Sequence, residues 1–187
     1  SDYARREERL SDKVNIVRLD CGEEGYITKE QLWDSLDTFA DNALSYIRER
    51  QLTPDIIHSH YADAGYVGVR LSSLLGIPLV HTGRVKRQRL LASGLKRDEI
   101  ERQYNISRRI EVEEDVLGAA ELVITSTRQE IEEQYGLYNH YQPEQMKVVP
   151  PGTELDQFYP PDGSEQHSPM RSELARFLKQ PDKPLIL

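Results

Sequence analysis

The chain has 187 residues with a formal net charge of −8, a size for one well-buried domain and short for two. That acidity argues against a nucleic-acid partner, whose phosphates demand a basic surface. No apolar run approaches the ~20 residues of a membrane span, and the polar start SDYARREERL does not read as a signal peptide. Cys21 is the only cysteine, which excludes an internal disulfide and a cysteine zinc site and fits a cytoplasmic setting.

Short apolar runs alternate with amphipathic ones. Val14 to Leu19 alternates apolar and polar residues as a half-buried strand does. A helix is predicted over 29–50, where Leu32, Leu36, Phe39, Ala43 and Ile47 form one stripe and Thr28 with Gln31 fits a capping box. A second apolar run starts at Ile56-Ile57 and ends at His58-Ser59-His60. A helix over 66–75 follows, stopped by Gly76.

Pro78-Leu79-Val80 opens the third strand. One long helix is predicted over 98–120, with Ile100, Tyr104, Ile110 and Leu117 as buried candidates, and Trp33 and Phe39 belong with the core or its rim. Glu121 to Thr125 is the fourth strand, 128–135 a further helix, and Met146 to Val149 a fifth strand stopped by Pro150-Pro151-Gly152. Pro160 to Pro169 is linker-like, 172–178 is helical, and Pro184 to Leu187 opens a sixth strand. Strands alternating with helices imply an α/β fold with a mostly parallel, Rossmann-like sheet flanked by helices.

Ligands of such sheets bind beyond the carboxyl ends of the strands. That selects His58-Ser59-His60-Tyr61, His81-Thr82-Gly83 and Ser126-Thr127-Arg128. From Arg84 to Arg97 there are six basic residues and no acidic one, with Arg108-Arg109 on the next helix. An acidic chain that gathers cations after a strand end fits a phosphate there. A solvated basic helix face answering acidic neighbours fits the pattern equally. His58, His60 and His81 lack metal-ligand spacing, and hydrogen-bonding roles are the expectation for each; no metal ligand is assigned. There is no GxSxG elbow and no Gly-rich phosphate loop. Glu111, Glu113, Glu114 and Asp115 read as an exposed helix face.

The stretch from Pro54 to Gly83 (PDIIHSHYADAGYVGVRLSSLLGIPLVHTG) closely resembles the acceptor domain of sucrose-phosphate synthases. So do Tyr104 to Glu111 (YNISRRIE), Val123 to Tyr135 (VITSTRQEIEEQY) and Val148 to Gly152 (VVPPG) followed by Phe158. The last motif is shared widely among retaining glycosyltransferases with two facing Rossmann-like domains; HSHYADAG with ITSTRQEIEEQY is narrower. The resemblance implies transfer of glucose from UDP-glucose to fructose 6-phosphate, giving sucrose 6-phosphate. It implies that Lys86 and Arg109 grip the acceptor phosphate and that Lys29 and Tyr61 line the acceptor pocket. It gives this chain no cofactor, and nothing indicates Mg2+.

By the same resemblance, residues 1–159 are expected to be a partial acceptor domain lacking its first Gly-rich strand unit. Residues 160–183 are then a linker and helix, and 184–187 the first strand of a truncated nucleotide-sugar domain. The family continues the third strand as HTGHSLGRVKR, whereas here Gly83 precedes Arg84 directly, so the family's active-site histidine is missing and no residue of this chain is assigned as catalytic. The gap is expected to be an unresolved loop, because a deletion would remove chemistry and displace Lys86. Alternatives are a mannosylfructose-phosphate synthase, a sucrose synthase-like enzyme, or a non-catalytic sugar-phosphate-binding domain.

Overall fold

The computed structural model describes residues 6–22, 25, 27–28, 31–83, 94–156, 158 and 169–179. Contacts divide the chain into two units, Ser1–Pro150 and Pro151–Leu187. The first unit carries a four-stranded parallel sheet of β3 (Ile57–His60), β4 (Leu79–Thr82), β5 (Leu122–Thr125) and β6 (Met146–Val148), side by side in chain order. The α/β expectation is met, because each parallel neighbour requires a crossover and the amphipathic stretches supply it.

The first strand expected from the sequence differs. Only Val14–Val17 (β2) is extended, and it pairs antiparallel with β1 (Glu7–Ser11) in a separate hairpin. Asp12 and Lys13 make the turn, held by the Arg9–Asp12 ion pair at 2.7 Å and by the Lys13 N–H donating to Ser11 Oγ at 3.3 Å. Val14 and Ile16 are exposed, not half-buried. Alternation marked the strand correctly, but among the described residues no apolar layer covers Val14 or Ile16.

The stripe from Leu32 onward folds as a 3-10 turn (Leu32–Ser35) running into α1 (Leu36–Glu49). Gln31 Oε1 accepts from the Thr28 N–H at 3.4 Å, which is the return half of the expected capping box; the Thr28 hydroxyl bonds the same oxygen. Trp33, Leu36, Ala40 and Ala43 pack with Ala62, Val67, Leu71, Val112 and Val116 in one core cluster. α2 starts five residues before its predicted onset, at Tyr61, and ends at Leu75 with Gly76 at φ 68° as its left-handed cap. Two glycines of α2 let it press onto its neighbours. A Cβ on Gly65 would lie 2.7 Å from Val116 Cγ2, and one on Gly68 2.9 Å from Leu79 Cδ1.

The long helix expected over 98–120 is broken. α3 (Arg97–Tyr104) and α4 (Ile106–Ala119) meet at Asn105, which is left-handed at φ 45°, a conformation asparagine tolerates. Glu101 seals the break by accepting from the Ser107 N–H and hydroxyl at 3.0 and 2.8 Å. The helix predicted over 128–135 becomes a widened π-type turn (Glu130–Gln134) and a 3-10 turn (Tyr135–Leu137). Thr127 Oγ1 and Glu130 cap its start reciprocally, at 3.1 Å to the Glu130 N–H and 2.7 Å from the Ser126 N–H. Ile131, Tyr135 and Tyr138 join Leu79, Leu117, Val123 and Met146 in a second core cluster.

In the second unit, α5 spans Pro169–Ala175. The linker-like stretch up to residue 168 and the strand predicted over 184–187 lie outside the described residues. No helix among the described residues is long and apolar enough to cross a membrane.

Candidate active site at the carboxyl edge of the sheet

β3 and β4 are in register, Ser59 beside His81 and His60 beside Thr82. Side chains alternate along a strand, so each face receives one polar pair. On one face His58 Nε2 and Thr82 Oγ1 share a hydrogen bond at 2.8 Å, and the rings of His58 and His60 lie 4.5 Å apart. On the other, Ser59 Oγ and His81 Nδ1 share one at 2.9 Å, both buried beneath α2. The hydrogen-bonding expectation for His58 and His81 is therefore met. Burial, with lesser repulsion from His60 and His58, lowers the His81 pKa to about 4, so this imidazole is neutral near pH 7. Burial lowers His58 as well, with His60 adding to it.

α4 ends where β5 begins, so its first turns lie toward the carboxyl ends of the strands. Arg109 and Glu113 stand one turn apart there, 7 % and 6 % exposed. Arg109 Nε donates to Glu113 Oε1 at 2.8 Å, and the Tyr138 hydroxyl donates to Glu113 Oε2 through a short hydrogen bond. Glu113 is thus no part of an exposed face, as its acidic neighbours suggested. The helical period turns it inward, while Glu111 and Asp115 stay in solvent. Glu114 accepts from the Asn139 and His140 N–H groups at 2.9 and 3.0 Å, fixing the loop that carries Tyr138.

Arg109 Nη2 and the Tyr135 hydroxyl are buried without a hydrogen-bond partner among the described residues. Burial, then the nearby Glu113 and Glu130 carboxylates, push the Tyr135 phenol up, so it is a neutral donor. Tyr135, His81, Gly83 and Glu113 line a small pocket of about 10 Å3, the scale of a single water. Gly83 is obligatory there, since a Cβ would fall 2.4 Å from His81 Nε2 and 3.1 Å from the Tyr135 oxygen.

The sequence-assigned residues divide three ways. Arg109 lies at this edge, buried and ion-paired. Tyr61 follows β3 directly and opens α2 at φ 66°, a left-handed conformation costly for a non-glycine residue, with its ring half exposed at the strand end. Lys29 and Lys86 lie outside the described residues, as do Arg84, Arg87 and Arg89 of the basic run. Beside Arg109, Arg108 points elsewhere: its guanidinium lies 5.6 Å from the Trp33 ring centroid and 3.3 Å from Asp34 Oδ1. Glu113, Tyr135 and Tyr138 were not found from the sequence. The available signal was Glu113 four residues after Arg109, a helical ion-pair spacing. The sequence runs unbroken from Gly83 to Arg84, so HSLG is absent from this chain and is not an unresolved loop.

A model of the glycosyl transferase 4-like domain matches residues 1–152. The chain is 38 % identical to a probable sucrose-phosphate synthase of Solanum tuberosum over 228 residues, covering 95 % of this chain and 22 % of that protein. It is 38 % identical to the sucrose-phosphate synthase of Zea mays, covering 92 % and 21 %. The chain therefore spans about a fifth of the curated relatives it matches. The potato match, at 228 positions, is longer than this 187-residue chain, so that relative carries residues within it that have no counterpart here. Among solved structures, a sucrose-phosphate synthase from Thermosynechococcus elongatus superposes with a TM-score of 0.69 at 24 % identity, covering 88 % of this chain and 39 % of that one, a likeness of fold. With the family model matching most of its length, the chain belongs to the glycosyl transferase 4-like domain family.

Proposed function

We propose that this chain forms the acceptor side of a retaining hexosyltransferase that moves glucose from UDP-glucose to fructose 6-phosphate, giving sucrose 6-phosphate in the cytoplasm. The observation that carries the reading is Arg109, a buried guanidinium at the carboxyl edge of the sheet with Nη2 unpartnered among the described residues. A buried donor without a partner is costly, and a phosphoryl oxygen is the acceptor a guanidinium binds best. Lys86, placed by the family resemblance, adds a second cation, and Lys29 and Tyr61 hold the sugar. The sugar nucleotide would be held by a second domain, and attack by the acceptor hydroxyl on the face the nucleotide leaves would need no protein nucleophile. No metal ligand is assigned to this chain.

The test is a heteronuclear NMR titration of the chain with fructose 6-phosphate, fructose and inorganic phosphate. The two phosphates are expected to shift the Arg109 side-chain signal, and fructose to do so far less. Arg109→Ala and Lys86→Ala should each weaken fructose 6-phosphate binding by about 1.5–3 kcal/mol, the range for hydrogen bonds to charged groups, and leave fructose unchanged. Arg109→Lys, which keeps the charge and loses the fork, should recover only part of that. Equal losses for both sugars would show that these residues do not read the phosphate.

The unbroken Gly83–Arg84 junction favours a second reading, a domain that binds the sugar phosphate without catalysis. Transfer activity measured on the whole protein separates the two: sucrose 6-phosphate formation excludes the binding-only reading.

A further inference from the structure

The proposed phosphate grip needs something to aim it. An arginine side chain is long and flexible, and burying it does not by itself decide which edge of the guanidinium faces a ligand. Here that choice is made by a carboxylate on the same helix and a tyrosine from beyond the next strand. Glu113 Oε1 takes Arg109 Nε, and Glu113 Oε2 is fixed in turn by the Tyr138 hydroxyl. Tyr138 is 4 % exposed, and the loop behind it is tied to α4 by Glu114. Of the guanidinium nitrogens, Nε is thus consumed, while Nη2 is left without a partner among the described residues.

We infer that Glu113 and Tyr138 are positioning residues: they clamp the Nε edge of Arg109 so that its Nη2 edge, buried and unpartnered among the described residues of the unliganded chain, is pre-oriented for the phosphoryl group of the acceptor. This rests on the proposed acceptor reading and adds residues that touch no substrate. Two effects of Glu113 oppose each other. Its charge neutralises Arg109 and weakens attraction for an anion, whereas its geometry removes the entropic cost of ordering the guanidinium. Such preorganisation raises affinity by cutting what binding must order. Aim dominates here, because the partner distance is that of a good charge-assisted bond and the carboxylate is itself held by Tyr138.

Two near-isosteric changes at one position separate aim from charge. Glu113→Asp keeps the charge but withdraws the carboxylate by one methylene, so it cannot reach both Arg109 and Tyr138. Glu113→Gln keeps the reach and an acceptor oxygen but removes the charge. Affinities for fructose 6-phosphate, inorganic phosphate and fructose are measured on the same chain, with thermal melts as the folding control. Glu113→Asp is expected to weaken both phosphates about tenfold, near the low end for losing one bond to a charged group, and Tyr138→Phe about threefold because it acts one step further away, with fructose unchanged. Glu113→Gln should stay near wild type. In an Arg109→Lys background the Asp substitution should lose its effect on phosphate.

If Arg109→Ala weakens phosphate binding while Glu113→Asp and Tyr138→Phe do not, the clamp is wrong and the acceptor reading survives. If Glu113→Gln binds phosphate more tightly than wild type, Glu113 acts through charge and the inference fails. If Arg109→Ala leaves phosphate binding intact, or the chain takes up no phosphate at millimolar concentration, both fall together.

Discussion

The two faces of the β3–β4 pair carry histidines at the same height in opposite surroundings. His58 and His60 lie in contact on the open face, where His58 bonds Thr82. His81, one strand over, is sealed under α2 with Ser59. On the open face partial burial, with His60 adding to it, lowers the His58 pKa. Desolvation makes His81 a neutral fixture of the fold. Composition alone treats these as three equivalent histidines; the alternation of a strand makes them different chemical groups.

The largest expected effect tests that contrast by acidification. His81 titrates at about 4 when folded and near 6.5 when unfolded, so the unfolded chain binds more protons between those values. Its contribution is fully present above pH 6.5 and is lost as pH falls toward 4, roughly 3 kcal/mol in all. Urea denaturation at several pH values measures it, and His81→Asn should flatten the profile while His58→Asn hardly alters it. A similar slope in both variants would remove the distinction between the faces.

Next comes the lid of the buried face. Gly65→Ala puts a methyl 2.7 Å from Val116 Cγ2 and 3.2 Å from His81 Cε1. It should cost about 1–3 kcal/mol of stability by overpacking. A smaller loss would mean that α2 lifts freely off the strands. The smallest effect belongs to the open face, where Thr82→Val removes the partner of His58. A stability change of about 0.5–1.5 kcal/mol in the same denaturation experiment is expected. If it exceeded the Gly65→Ala loss, the open face would be the structural one.

How far the site could be read in advance varied with the interaction involved. Arg109 was singled out from a local motif, and the strand ends from the rule for open sheets. Glu113 was misread because charge runs on helices usually face water, and only packing against Tyr138 shows that it is buried, with Glu114 partly covered beside it. Tyr135 lay within a motif but not in a role, since its buried hydroxyl matters only beside His81 and Gly83. The break at Asn105 was missed because the apolar spacing runs through it; a single left-handed residue leaves that pattern nearly intact.

Periodicity, turn residues and apolar runs are local properties, so the sequence by itself determined the α/β alternation, the α1 stripe, the Gly76 stop and the parallel strands. Burial and partner choice arise between segments distant in the chain. Only the tertiary structure decided that β2 joins a hairpin outside the main sheet, that His81 is sealed while His58 is open, and that Glu113 meets Tyr138. Each of those outcomes depends on what covers a residue, and no short window of sequence contains its cover.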